Sequence, residues 1–213
     1  MAAIGAFTFV LHSHLPYARL AGRWPHGEEW IHEAASETYI PLLQTLYDLK
    51  DEGIHYKLTV GITPILAEHL SRASGWDCRE GKDGEAVTPN RIYLAPGNYH
   101  MVVEVEGGRK IIRLNQNPPE NFCRPSVDPM LRSLAKAYGS RLLVMMLTGM
   151  GKDGQAGAEV AVQAGGTVAA QDEETSVVWG MPGAVATAGL CSAVLPLDRL
   201  SAYLYERALR NAA

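Results

Sequence analysis

Residues 142–154 read LLVMMLTGMGKDG. Leu142–Leu147 is an unbroken apolar run, and a glycine-rich stretch, Gly149–Gly154, closes it. A short apolar run with a turn behind it fits a strand buried on both faces. The residues after the turn have helical spacing to about Ala164, and Thr167–Ala170 gives a further strand. Strand, turn, helix and strand make the repeating unit of a parallel α/β sheet. Ligands bind such sheets at the carboxyl edge of the strands, and Asp153 stands just past one.

Working outward, the same alternation recurs. Phe7–His12 is a buried strand, and Glu29–Leu49 is a helix with Ile40, Leu43, Leu46, Tyr47 and Leu49 on its apolar side, kinked at Pro41. Tyr56–Ile62 is a second strand, after which Thr63 caps a helix that has Pro64 at its first position and runs to about Arg72. This β-α-β-α order opens a parallel sheet. Past a glycine- and charge-rich stretch come Ile92–Leu94 and a hairpin, Met101–Val105 with Lys110–Leu114, turning at Gly107-Gly108. Asn115–Arg124 is loop, and Ser126 caps a helix to about Tyr138. Short helices near Glu173–Val178 and Pro182–Ala188, a strand at Ala193–Leu195 and a helix from Leu197 to Leu209 complete the chain.

The 213 residues, 47% hydrophobic and 20% charged, suit one large domain or two small ones. A net charge of −4 with no basic stripe argues against nucleic acid as a partner. The apolar runs are too short to span a bilayer, and Met1–Phe7 lacks the charged start of a secretion signal. Cys78, Cys123 and Cys191 are scattered with no CxxC pair, which argues against zinc and disulfides and for a cytoplasmic location. No cofactor is implied.

Composition changes near Ser71. Before it stand Arg19, Arg23, Lys50 and Lys57 against eight carboxylates, six of seven histidines and 5 of 21 glycines; the remainder is neutral. Such a shift marks a junction, although no flexible linker separates the parts.

Two resemblances meet at this junction. Residues 1–71 resemble the start of family-57 glycoside hydrolases, the α-glucan branching enzymes, through FTFVLHSHLPYARLAGRWPHGEEWIHEAASETYIPLLQTL and KLTVGITPILAEHL. That family folds as an incomplete (β/α) barrel whose catalytic carboxylates lie on strands this chain lacks. Residues from about Ala73 to Tyr203 resemble the catalytic domain of the chemotaxis protein-glutamate methylesterase family, CheB, through RIYLAPGNYHM, RPSVDPMLRSLA, LTGMGKDG and QDEETSVVWGMPGAVA. The resemblance implies a doubly wound, mostly parallel, Rossmann-like three-layer α/β domain with helices on both faces and a hairpin at one edge. It also implies a Ser-His-Asp triad.

By that resemblance Asp153 is the triad acid, and the backbone N–H of Met150 helps hold the oxyanion, between two glycines that let amides point at one spot. Asp153 at a helix entrance also suits the helix dipole. Ser13, at the end of the first strand, stands near the family's nucleophile, flanked by His12 and His14; Leu15 and Pro16 replace the family's turn glycines. Ile62 occupies the position of the triad histidine and cannot accept a proton. His12 or His14 is the substitute base, and His-x-His with Asp153 is a set that adventitious metal would find, without making a metal site. Trp24, Pro25 and His26 form a loop, Glu28, Glu29, Glu33 and Glu37 a solvated helix face, His100 a hairpin histidine and Cys123 an ordinary thiol.

The joined resemblances imply an engineered chimera, residues 1–71 and 72–213 in a single α/β domain without evolved activity. Two alternatives stand beside it: a residual carboxylic-ester hydrolase of the methylesterase type, and weak α-glucan binding through His12, His14, Tyr17 and Trp24. A chemoreceptor or α-glucan is the inherited partner in these readings. The join works if the helix at Pro64–Arg72 packs on the sheet through Ile65, Leu66 and Leu70.

Overall fold

The computed structural model describes residues 6–12, 57–61 and 75–210. Within them the strands run, in chain order, β1 (Ala6–His12), β2 (Lys57–Gly61), β3 (Asp77–Glu80), β4 (Arg91–Leu94), β5 (His100–Glu106), β6 (Arg109–Asn115), β7 (Leu142–Gly149), β8 (Thr167–Gln171) and β9 (Ala193–Leu195). The helices are α1 (Val127–Tyr138), α2 (Gln155–Gln163), α3 (Met181–Thr187) and α4 (Leu197–Arg210). The helices expected at Glu29–Leu49 and Thr63–Arg72 lie outside the described residues.

Seven strands form one sheet in the order β3-β4-β2-β1-β7-β8-β9, and each of its pairings is parallel. Ala6 sits opposite both Lys57 on β2 and Leu142 on β7. From β1 the chain moves to one side through β2 to β3 at the edge, comes back to insert β4 between them, then returns to β7 on the other side of β1. The winding direction therefore reverses between β1 and β7. In doubly wound sheets a crevice opens over the strand ends at that reversal.

Strand β7 is apolar because both of its faces are covered. Leu142, Val144 and Met146 join a core with Met130, Leu131 and Leu134 of α1, Ala158 and Ala161 of α2, and Met181 and Val185 of α3. Leu143, Met145 and Leu147, which alternate with them, are equally buried. On α1, Val127, Met130, Leu131, Leu134, Ala135 and Tyr138 recur at helical spacing and are all buried. Each large apolar side chain enclosed in this way contributes roughly 1.5–3 kcal/mol relative to exposure.

Three expectations change in detail. Strand β3 was not foreseen, because its residues, Asp-Cys-Arg-Glu, carry no apolar alternation. It is an edge strand held by its pairing with β4 and by ion pairs from Arg91 to Asp77 (2.6 Å) and from Arg79 to Glu85 (2.5 Å). Glu173–Val178 is a turn rather than a helix: Asp172 Oδ1 accepts from the Thr175 N–H (3.0 Å) and hydroxyl (2.6 Å) and closes the chain locally. The β5–β6 hairpin forms as expected but is a separate two-stranded sheet. It rests on α1, where the Val103 N–H donates to Ser133 Oγ (2.9 Å) and Lys110 lies 4.7 Å from the Tyr138 ring centre.

Candidate functional site

The carboxyl end of β7 carries the turn Gly149–Gly154, and the register brings His12, the last residue of β1, opposite Gly149. This is the switch point of the sheet. The Gly149 N–H donates to Val178 O (2.9 Å), and Thr148 Oγ1 accepts from the Val178 N–H (2.9 Å), so the 172–180 loop is laced to the end of β7. The Met150 N–H has no hydrogen-bond partner among the described residues, and the Met150 side chain is exposed. Gly180 packs directly against this turn: a Cβ there would lie 2.7 Å from both Gly149 O and Gly151 N. Gly154 has a φ of +90°, and a Cβ on it would strike Val127 and Met146 within 3 Å, so glycine is required where the turn enters α2.

Asp153 is buried, and four donors converge on its carboxylate. Oδ1 accepts from Ser126 Oγ (2.7 Å), Asn121 Nδ2 (2.9 Å) and the Asp128 N–H (3.3 Å), while Oδ2 accepts from the Val127 N–H (2.8 Å). Asp153 thus closes the N-terminus of α1, a helix distant in sequence, in addition to standing two residues before α2. Its negative charge at the first amides of α1 is favoured by the helix dipole. The expectation that Ser126 caps α1 holds for the backbone position, while the side chain that accepts from the helix is another one. Ser126 holds the N-cap backbone position, but its hydroxyl donates to Asp153, and the carboxylate accepts from the helix. A carboxylate is the stronger acceptor for N–H donors in a buried place, so it takes the capping role.

Asn121 joins this centre from the loop before α1. Its amide nitrogen donates both to Asp153 and to Asp128 Oδ2 (2.8 Å), whose Oδ1 in turn accepts from the Gly157 N–H on α2 (2.6 Å). One polar cluster therefore ties the loop, α1, α2 and the β7 turn together. His100 is fully buried beside it: its Nδ1 accepts from the Ser126 N–H (3.2 Å) and its Nε2 donates to Pro118 O (3.1 Å). It is a structural hairpin histidine with both ring nitrogens engaged. Gln171, buried at the end of β8, accepts from the Thr148 N–H (3.0 Å) and donates to Thr175 O (2.7 Å), fixing the neighbouring loop.

The sequence reading singled out Asp153 and Met150 through the LTGMGKDG motif. It missed Asn121, Ser126 as a partner of Asp153, and Gln171. The only signal for Gln171 was its place at the head of QDEETSVVWGMPGAVA. Backbone register places His12 at the site edge, whereas Ser13, His14 and Ile62 lie outside the described residues. Cys123 and Cys191 are poor nucleophiles. Burial, with a contribution from the Asp153 charge, pushes the Cys123 thiol up, and burial pushes Cys191 up to about 11, so both stay protonated near neutrality. Among the described residues no group of three or more His, Cys, Asp or Glu is placed to hold a metal ion. No described helix is long and apolar enough to cross a membrane.

Fold and site together define a doubly wound α/β domain with a buried acid and a glycine turn at its switch point. The family model described as CheB methylesterase matches residues 54–204, and the chain belongs to that family. It is 62% identical over 149 residues to the protein-glutamate methylesterase/protein-glutamine glutaminase 1 of Paramagnetospirillum magneticum, covering 70% of this chain and 39% of that protein. The protein of the same name from Rhodospirillum rubrum is 58% identical over 146 residues, covering 68% of this chain and 38% of that protein. The crystal structure of the Thermotoga maritima CheB methylesterase catalytic domain matches with a TM-score of 0.69 at 37% identity, covering 71% of this chain and 84% of that one. The chain spans about two fifths of the length of these curated relatives.

These likenesses overturn the expectation of an engineered scaffold without evolved activity. Identity of this order to proteins named as methylesterases, over a family match that takes in every strand of the sheet except β1, is the mark of descent within that family. The family match also begins at residue 54 and so includes β2, which the resemblance had assigned to the glycoside-hydrolase-like part.

Proposed function

We propose that the chain is a carboxylic-ester hydrolase of the protein-glutamate methylesterase type, acting on methyl-esterified glutamate side chains of a partner protein. The observation that supports this most is the Gly149–Gly154 turn, with Met150 and buried Asp153, which lies within the family match and stands beside the end of β1 at the switch point of the sheet. In this reading Ser13, the residue after β1, supplies the nucleophile. Its Oγ bonds to the ester carbonyl carbon while His12 or His14 takes the hydroxyl proton; Ile62 leaves that task to them. The Met150 N–H stabilises the oxyanion. The C–OCH3 bond then breaks, methanol leaves with the proton, and water hydrolyses the acyl-serine to the free glutamate. Asp153 holds the N-terminus of α1 and the β7 turn in place and offers the remaining acceptor capacity of Oδ2 to the base.

The same reading makes a chemoreceptor the partner and the cytoplasm the setting. Residues 1–213 then form one α/β domain. The likeness of residues 1–71 to family-57 glycoside hydrolases is read as the descent of that segment and rests on the two stretches quoted above.

The test is peptide mass spectrometry after exposure to a fluorophosphonate probe, paired with methanol release from methyl-esterified protein. We expect one adduct, on Ser13, absent from Ser13→Ala and from heat-denatured protein. A folded protein that takes no adduct and releases no methanol refutes the reading.

A further inference from the structure

The loop ahead of α1 holds a residue that the fold itself does not use. Glu120 and Cys123 pair in an antiparallel bridge, with hydrogen bonds from Glu120 N to Cys123 O (3.2 Å) and from Cys123 N to Glu120 O (2.9 Å). The two central residues of this tight turn, Asn121 and Phe122, both have positive φ, 52° and 64°. That is the backbone sign of a type I′ turn, where Asn-Gly is the easy sequence. Asn121 meets the requirement and points its amide inward to Asp153. Phe122 stands where glycine would be least strained, and its side chain is wholly exposed (103%). A bulky residue at positive φ is an outlier that costs free energy, and here no buried contact offsets the cost. Such strain persists where function requires it.

The turn is anchored firmly. Glu120 pairs with Arg132 of α1 (2.6 Å), and Asn121 Nδ2 lies 2.9 Å from Asp153. Phe122 is thus presented outward from a rigid base next to the acid of the site. Met150, also exposed, stands three residues before that same acid.

We infer that Phe122 is a specificity-determining residue. It packs on an apolar side chain of the substrate polypeptide close to the ester, so that the site selects esters set in an apolar segment. This assignment rests on the hydrolase reading above.

The test uses the full chain and two synthetic peptides with one glutamate methyl ester each. They differ only in leucine or serine at the positions three and four residues on either side. Wild type should favour the leucine peptide about tenfold in kcat/KM, chiefly through KM, as expected for burying one large apolar side chain. Phe122→Gly should abolish that preference without lowering the melting temperature, because glycine relieves the turn; Phe122→Leu should keep most of it. Wild type that hydrolyses both peptides with no preference, or a preference that survives Phe122→Gly, overturns this assignment alone. A melting temperature several degrees lower in Phe122→Gly also overturns it, by showing that the ring serves the fold. Wild type inert toward both peptides overturns the hydrolase reading and this inference with it.

Discussion

Replacing Asp153 by alanine should cost stability as well as activity, and the size of the loss follows from its hydrogen bonds. The change strips acceptors from the Ser126 hydroxyl, the Val127 and Asp128 N–H groups and one bond of the Asn121 amide. Asn121 keeps its second bond, to Asp128, so its loss is partial. Loss of a helix N-cap costs about 1 kcal/mol, and each buried polar group left without a partner costs about 1–3 kcal/mol. Allowing the Ser126 hydroxyl to find another acceptor, the sum is roughly 3–5 kcal/mol. At roughly 2–4 °C per kcal/mol for a chain of this size, the melting temperature should fall by about 6–20 °C. Urea denaturation followed by circular dichroism measures the loss, and amide exchange at Val127 and Asp128 should rise first. Asp153→Asn keeps one acceptor oxygen and should lose about half as much. A residue that served catalysis alone would be neutral to stability, or its removal would even help. A loss below about 1 kcal/mol in Asp153→Ala would therefore refute the capping role.

Other perturbations probe the same framework. Asn121→Ala removes the donor shared by two buried carboxylates and should destabilise by about 2–3 kcal/mol, readable as a lower urea midpoint. Gly180→Ala puts a Cβ 2.7 Å from Gly149 O and Gly151 N, which displaces the turn that carries Met150. Ester hydrolysis should drop by ten- to a hundred-fold with the circular dichroism spectrum retained, and unchanged turnover would contradict the placement of the oxyanion donor. The Cys191 thiol is raised from its ordinary 9.0 to about 11 by burial, so the folded chain keeps this proton after the unfolded chain has lost it. Its contribution to stability is complete below about pH 9 and is lost as pH rises towards 11. Burial moves Tyr138 in the same direction at higher pH. Urea midpoints between pH 8 and 11 should fall, and fall less in Cys191→Ala.

Much of the fold was legible because the strands that matter are apolar and bounded by turns. Leu142–Leu147 could hardly be anything but a covered strand, and the Gly107-Gly108 hairpin follows from its two flanking runs. Strand β3 escaped because an edge strand needs no apolar alternation, and Glu173–Val178 misled because its Asp-Glu-Glu start resembles a helix entrance while Asp172 closes a turn instead. The site divides in the same way. Asp153 and Met150 belong to one short motif next to a strand end. Asn121 and Ser126 reach Asp153 across 32 and 27 residues, a pairing that only the packing of α1 on α2 creates. The local capping rule located Ser126 correctly and named the wrong acceptor, because a carboxylate from the far side of the fold competes for the same amides.

Among the described residues the seven-stranded sheet ends in two edge strands, β9 and β3, and they are guarded differently. The β9 rim offers three residues, too few to template a neighbour. The β3 rim is longer, but Asp77, Arg79 and Glu80 line it and two of them are held in ion pairs. A second copy docking there would have to strip water from those charges before gaining a single ladder bond, which blocks edge-to-edge fibre growth. The unremarkable charged strand that pattern reading passes over thus carries its own guard against edge pairing. Exchanging Glu80 alone for valine would keep both ion pairs of the strand and leave that rim easier for another strand to pair with.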